Sequence, residues 1–282
     1  MPETGNNSIM TNETFNLNQS VQYTLSIRLS TDGFSFSIYN PLNGNDVFFR
    51  SYPVNVQHSM AANIKQFLAD TDEIKHTFKQ TNILVHTQRY TSVPLELYED
   101  EQTELLFYQN LPQQKNEVIL CNILGKSNVV ILFALDKLSH LFLSEHFPDA
   151  RFFASISPLT EHFSIKSKAG NNYKLFAHLL PESIDLLAFD KGRTQLINTF
   201  PTKGMEDSCY YLLNVWKQLG YDPERDELHL SGISGKRKES ANLLRKYLRH
   251  IFIINPQAEL HVSGEGQADD IPFDMQSLIS CE

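Results

Sequence analysis

The chain has 282 residues, 41% hydrophobic and 20% charged, enough apolar content to bury one large core or two modest ones and too much for a disordered polymer. With 24 Lys and Arg against 33 Asp and Glu, the net charge of -9 excludes a general binder of nucleic-acid backbones, which needs clustered positive charge. Three scattered cysteines, Cys121, Cys209 and Cys281, suggest neither a disulfide framework nor a zinc site, and no window approaches the roughly 18 apolar residues of a membrane span; a cytoplasmic protein without membrane insertion is expected.

Residues 1–20, rich in Asn, Thr and Ser, read as a disordered tail. From Val21 the pattern has period two. Leu25, Ile27 and Leu29 alternate with Ser26, Arg28 and Ser30, and Phe34, Phe36 and Ile38 alternate with Ser35, Ser37 and Tyr39, which predicts strands with one dry face. Turns fall at Thr31-Asp32-Gly33 and at Asn43-Gly44, the second suited to positive φ. After Pro53 the spacing becomes helical, with Ile64, Phe67, Leu68, Ile74 and Phe78 on one face and Ser59 as the cap. A strand is predicted over 83–87, then a loop and short helix over 91–111, whose Glu99-Asp100-Glu101 suits a helix start.

Residues 117–135 are two apolar runs around Gly125-Lys126-Ser127 and predict an antiparallel hairpin. That tripeptide imitates the end of a phosphate-binding loop, but Leu120 stands where the motif needs glycine, and a strand rather than a helix follows. A helix is predicted over 136–147 with Leu138, Leu141 and Phe142 inward, then a strand over 151–157 that Pro158 closes.

A second meander runs from Tyr173 to Pro201, turning at Pro181-Glu182-Ser183 and Lys191-Gly192; its run Leu186-Leu187-Ala188-Phe189 implies burial on both faces. A helix follows over 205–219, with Tyr210, Leu213 and Trp216 at helical spacing and Gly220 as its stop, then a strand over 227–231, a loop, a helix over 238–249 and a strand over 251–254. Lys236-Arg237-Lys238 with Arg245, Lys246 and Arg249 reads as a solvated helix face. Gly264-Glu265-Gly266 is a loop, and Ile271, Phe273, Met275 and Leu278 predict a docking terminal helix. The histidines show no metal-binding spacing.

LSIRLSTDGFSFSIYN followed by DVFFRSYPV thus returns in outline as KLFAHLLPESIDLLAFD followed by GRTQLINTFP, about 150 residues on. The order strand, strand, strand, helix, strand, helix, strand, present twice, resembles the actin-like ATPase superfamily of actin, heat-shock chaperones and sugar kinases. The middle of the chain, with HFPDARFFASISPLTEHF, is most similar to the actin-like pilus-assembly branch. The whole also resembles an uncharacterised Bacteroidetes family with an actin-like fold. The resemblance implies an α/β protein of duplicated ribonuclease H-like βββαβαβ domains in a two-lobed arrangement. The first domain is residues 21–165 with inserted elements, the second 166–257, and 258–282 a C-terminal tail with a docking segment.

In active members of that superfamily the first turn of each meander binds phosphate, and a carboxylate just before it orients the metal or the attacking water. Here Arg28 and Ser30 stand at the acid and glycine positions of the first meander, and His178 and Leu180 at those of the second. By the resemblance, the candidate nucleotide cleft comprises Arg28, Asp32, Gly33, His178, Gly232 and Gly235, with both carboxylates replaced, no metal ligand and no cofactor expected. Asp32-Gly33 is also an ordinary hairpin pair, and Gly232-Ile233-Ser234-Gly235 suits any strand-to-helix connection. Asp185 reads as a strand-edge or partner-facing residue. Two functions follow: a catalytically silent actin-like adaptor or scaffold with a protein partner, or an ATPase or small-molecule kinase that takes ATP and Mg2+ at a nonstandard phosphate site.

Overall fold

The computed structural model describes residues 17–41, 47–256, 258 and 271–281; the predicted Asn43-Gly44 turn and the Gly264-Glu265-Gly266 segment lie outside them. A 3-10 turn at Leu17–Gln22 packs Leu17 on the core and buries Ser20, so the fold begins before Val21. Strands β1 (Thr24–Ser30), β2 (Gly33–Tyr39) and β3 (Val47–Tyr52) form an antiparallel meander. Helix α1 (Met60–Asp70) starts where Ser59 Oγ accepts a hydrogen bond from the Ala62 amide at 3.2 Å. It is shorter than predicted: the backbone extends at Thr71, and Ile74 belongs to a separate 3-10 turn, Glu73–Lys75. Strand β4 (Gln80–Val85) then adds parallel to β1.

The insert that follows contains β5 (Tyr90–Pro94), α2 (Thr103–Asn110), β6 (Glu117–Leu124) and β7 (Val129–Asp136), with the strands in the order β5-β7-β6. The segment predicted as a loop at 91–94 is therefore a strand. Its proline sits at the end of an edge strand, where the missing N–H breaks no ladder. Helix α3 (Lys137–His146) corrects a second expectation. Asp136 accepts hydrogen bonds from both the Ser139 amide and its hydroxyl, at 2.9 Å each, which turns Ser139 and Leu143 inward and leaves Leu138 and Leu141 55% and 48% exposed, while Phe142 packs partly buried on the core as expected.

Strand β8 (Arg151–Ala154) completes a five-stranded sheet ordered β3-β2-β1-β4-β8. Pro158 does not close that strand. It lies in the first turn of α4 (Ile156–Ser167), where a helix tolerates proline because the first amides have no partner within it. The second sheet repeats the plan with β9 (Lys174–Leu179), β10 (Ser183–Asp190), β11 (Arg193–Pro201), β12 (Glu227–Gly232) and β13 (His250–Ile253), in the order β11-β10-β9-β12-β13. Helix α5 (Met205–Gln218) leads into β12, α6 (Ser234–Leu244) into β13, and α7 (Phe273–Cys281) closes the described chain.

As expected for β10, both faces are buried: Ile184, Leu186 and Ala188 pack with α5 and α6, while Leu187 and Phe189 join the larger core shared with the first sheet. The first meander differs from the one-dry-face expectation. Leu25, Ile27 and Leu29 enter the larger core, but the serine-rich face is also buried, because α7 lies on that sheet: Met275 and Leu278 pack against Tyr39, Val47, Phe49 and Leu84. The predicted docking of the terminal segment is thus what shields the polar face. Arg237 also departs from the solvated-face reading; it is buried and donates to the Ile254 carbonyl.

Candidate functional site

β1 and β9 are the central strands of their sheets, and their C-terminal ends approach one another at the turns that follow them. Arg28 lies near the end of β1, paired across to Ser35, and is only 6% exposed. Its Nε donates to Asp274 Oδ2 at 2.7 Å, and Asp274, in the first turn of α7, is 1% exposed. Nη1 stands 3.8 Å from the half-exposed Asp32 carboxylate, an ion pair but too long for a hydrogen bond. Burial opposes the charge on both partners of the Arg28–Asp274 pair, yet their attraction prevails: the Arg28 pKa is raised and the Asp274 carboxyl is held below the usual carboxylate range.

His178, on β9, is buried, with Nδ1 3.0 Å from Ser231 Oγ. Burial, with Arg28 nearby, pushes its pKa down to about 4, so the imidazole is neutral at neutral pH and offers no positive charge to a phosphate. Asp185 pairs with His178 across the sheet and is not a strand-edge residue: it lies on a strand with neighbours on both sides and is 2% exposed. Thr199 Oγ1 donates to Asp185 Oδ1 at 2.6 Å and is itself 2.9 Å from the Tyr90 hydroxyl, a chain that ties the insert to the second sheet. Burial pushes the Asp185 carboxyl up to about 7.

A cavity of about 210 Å³ brings together Arg28, Asp32, His178 and Gly232, four of the candidate residues, against Ile233 and Phe273. Gly33 and Gly235 do not line it. Gly232 is explained by packing: its φ is +90°, and a Cβ there would lie 2.1 Å from the Leu179 carbonyl oxygen. No glycine loop intervenes, since β12 ends at Gly232 and α6 begins at Ser234, with Gly235 inside the helix in open space. A second cavity, about 450 Å³, shares Asp32, Leu180 and Pro181 with the first and opens beside both meander turns, with His86, Gln88 and Glu182 on its walls.

Sequence reasoning missed Asp274, and it gave Phe273 to a docking helix without placing it at the cleft. The signal was present: an acid inside the apolar run 271–278 and an arginine inside an otherwise apolar and serine-rich strand each need a partner of opposite charge if buried.

Two sheets of identical strand order, meeting at their meander turns, make this an actin-like protein. Within that class the chain belongs to the family of proteins of unknown function DUF3822, whose model matches residues 12–251. A crystal structure from Bacteroides thetaiotaomicron VPI-5482, of a protein with actin-like ATPase fold and unknown function, is 44% identical over 95% of this chain and 100% of that one, with a TM-score of 0.86. A chain of the PilM-PilN type IV pilus biogenesis complex is similar in fold, with a TM-score of 0.55 at 14% identity over 92% of this chain and 97% of that one. No curated protein matches. Among the described residues, no helix is long and apolar enough to cross a membrane.

Proposed function

We propose that this chain is a catalytically silent actin-like protein of the cytoplasm, an adaptor or scaffold whose nucleotide site is degenerate and which works through protein contacts. One observation carries the reading: Asp274 of the C-terminal helix is locked to Arg28 inside the cleft. A Mg2+–nucleotide needs carboxylate oxygens free to meet the ion and its waters. Asp274 is engaged by Arg28, Asp185 holds a hydrogen bond from Thr199, and a guanidinium stands at the first acid position; the cavity's remaining carboxylate, Asp32, stands 3.8 Å from that guanidinium without a second acid beside it, so this donor set does not fit the ion. The presence of a similarly folded chain in the PilM-PilN complex supports a role in protein assembly.

Calorimetry of the whole protein with ATP and with ADP, each with and without Mg2+, tests this. No binding at millimolar nucleotide is expected. Micromolar binding that weakens in Arg28→Ala would overturn the reading in favour of a nucleotide-binding ATPase or kinase, the alternative that the open cavity beside the two meander turns favours.

A further inference from the structure

The insert meets the second sheet through a chain of three side chains. Tyr90 on β5, Thr199 on β11 and Asp185 on β10 are linked at 2.9 and 2.6 Å, and both ends of the chain are buried. Thr199 has a single hydroxyl proton and donates it to Asp185, so its oxygen accepts the Tyr90 O–H, and both donors point toward the carboxyl group. No lysine or arginine pairs with Asp185 among the described residues. His178 on β9 faces it directly but is engaged with Ser231, and Arg28 on β1 has its Nε taken by Asp274. Asp274 on α7 adds a like charge, and burial together with Asp185 keeps the Tyr90 phenol protonated. An ionised Asp185 is thus an anion in a dry seam with one hydroxyl to answer it, whereas the neutral acid fits there at little cost.

We propose that the Tyr90–Thr199–Asp185 chain is a proton-operated latch between the insert and the second lobe, shut when Asp185 carries its proton and loosened, with water reaching the carboxylate, when the proton passes to solvent. The inference is independent of the silent-scaffold reading, because it concerns how the insert is held and not what the cleft binds. In a loosened, hydrated seam the carboxyl has its ordinary value of 3.8, against about 7 in the shut one. The shut state therefore holds the proton more tightly and is favoured as pH falls; loosening grows as pH rises from about 4 to about 7 and levels off above. His178, whose value falls to about 4 on burial, acts in the opposite sense in any opening that hydrates it. It lies on β9 and its partner Ser231 on β12, both within the second sheet, so parting the insert from β11 leaves that bond in place. The other polar tie between the insert and β11 among the described residues, from Thr194 Oγ1 to the Ser127 carbonyl, is long at 3.5 Å. The state of Asp185 is then what sets the polar hold of the seam.

The test is hydrogen exchange of the full chain, wild type beside Asp185→Asn, at pH 5.5, 6.5 and 7.5, with rates corrected for the intrinsic chemistry of exchange. The readout is the opening of the β5 and β11 amides, residues 90–94 and 193–201, relative to those of β2 on the far side of the first sheet. The wild-type seam should open roughly five- to tenfold more at pH 6.5 than at pH 5.5, and only a few-fold more again at pH 7.5. In Asp185→Asn, which cannot ionise, that rise should vanish; taking the ratio of the two proteins removes the part due to His178. A seam that opens equally at all three pH values, or a rise that survives in Asp185→Asn, overturns the latch. So does an equal rise at β2, which would place the proton's effect on global unfolding. If Asp185→Asn does not fold, the wild type decides alone by carbon-13 NMR of the Asp185 carboxyl: its titration and the loosening of the seam should turn over at the same pH, and a carboxyl that titrates near pH 4, or a seam indifferent to its titration, sinks the proposal.

Discussion

Phe163 of α4 lies flat on Phe176 of β9, with ring centroids 4.5 Å apart and planes at 13°. The stack continues outward through His229, 4.8 Å from Phe176, to Phe252 on the edge strand, 4.9 Å from His229, and on the other side reaches Phe273 of α7, 5.9 Å from Phe163. One column of rings thus links the second sheet, the helix between the lobes and the segment that fills the cleft. Phe163→Ala should cost about 3–5 kcal/mol, as for other fully buried aromatics. Phe252→Ala, at the half-exposed end, should cost clearly less. Urea midpoints of the two variants compare them directly, and a loss for Phe163→Ala no larger than about 1 kcal/mol would show that the column does not bear on stability.

The two glycines that flank the connection from β12 to α6 have opposite expected behaviour. Gly232→Ala forces a methyl against the Leu179 carbonyl at a φ of +90° and should destabilise by more than about 2 kcal/mol, from backbone strain and steric conflict together. Gly235→Ala lies in a helix with open space around it and should stabilise by roughly 0.5–1 kcal/mol. Thermal melts of both variants separate the close-packing explanation of Gly232 from a general role of this glycine pair.

Buried Asp185 and His178 pull the pH dependence of stability in opposite directions. The Asp185 carboxyl rises from 3.8 to about 7 on folding, so the folded state holds the proton more tightly; its contribution is full below the ordinary value and is lost as pH rises toward 7. His178 falls from 6.5 to about 4, so the unfolded state binds the proton better and stability is lost as pH drops from 6.5 toward 4. Asp185→Asn should therefore gain on the wild type steadily as pH is raised from about 4 to about 7, and level off above. Urea unfolding across that range checks the slope; a pH-independent difference would mean that Asp185 titrates as an ordinary carboxylate.

On α3 the sequence pattern and the fold disagree about which leucines matter. Leu143→Ala should cost about 2–5 kcal/mol. Leu138→Ser and Leu141→Ser should each stay within about 0.5 kcal/mol of the wild type. Chemical denaturation of the three variants distinguishes the observed helix phase from the one that the leucine spacing alone suggests.

Much of the architecture was legible because it is written locally. Alternation in the first meander, the continuous apolar run of β10, Ser59 ahead of α1, Gly125 between two apolar runs and Gly220 after α5 are each readable within a few residues, and each coincides with an element of the structure. The departures have specific causes. A proline made the edge strand β5 look like a loop, and Pro158 read as a strand stop because the same residue opens helices. The phase of α3 was misread because leucine spacing was weighed without the grip of Asp136 on Ser139. Arg28, Asp32, His178 and Gly232, singled out by the resemblance, line one cavity, whereas Asp185 was assigned to an edge because strand order cannot be read from composition.

The sequence by itself determined that two like meanders exist and where their turns fall; these follow from side-chain period and turn chemistry, which act over a handful of residues. Only the tertiary structure decided what covers the serine-rich face of the first sheet and what answers the charge of Arg28. That answer, Asp274, is 246 residues away along the chain. No local pattern can specify it, because burying an arginine requires an anion but does not say from which segment the anion must come.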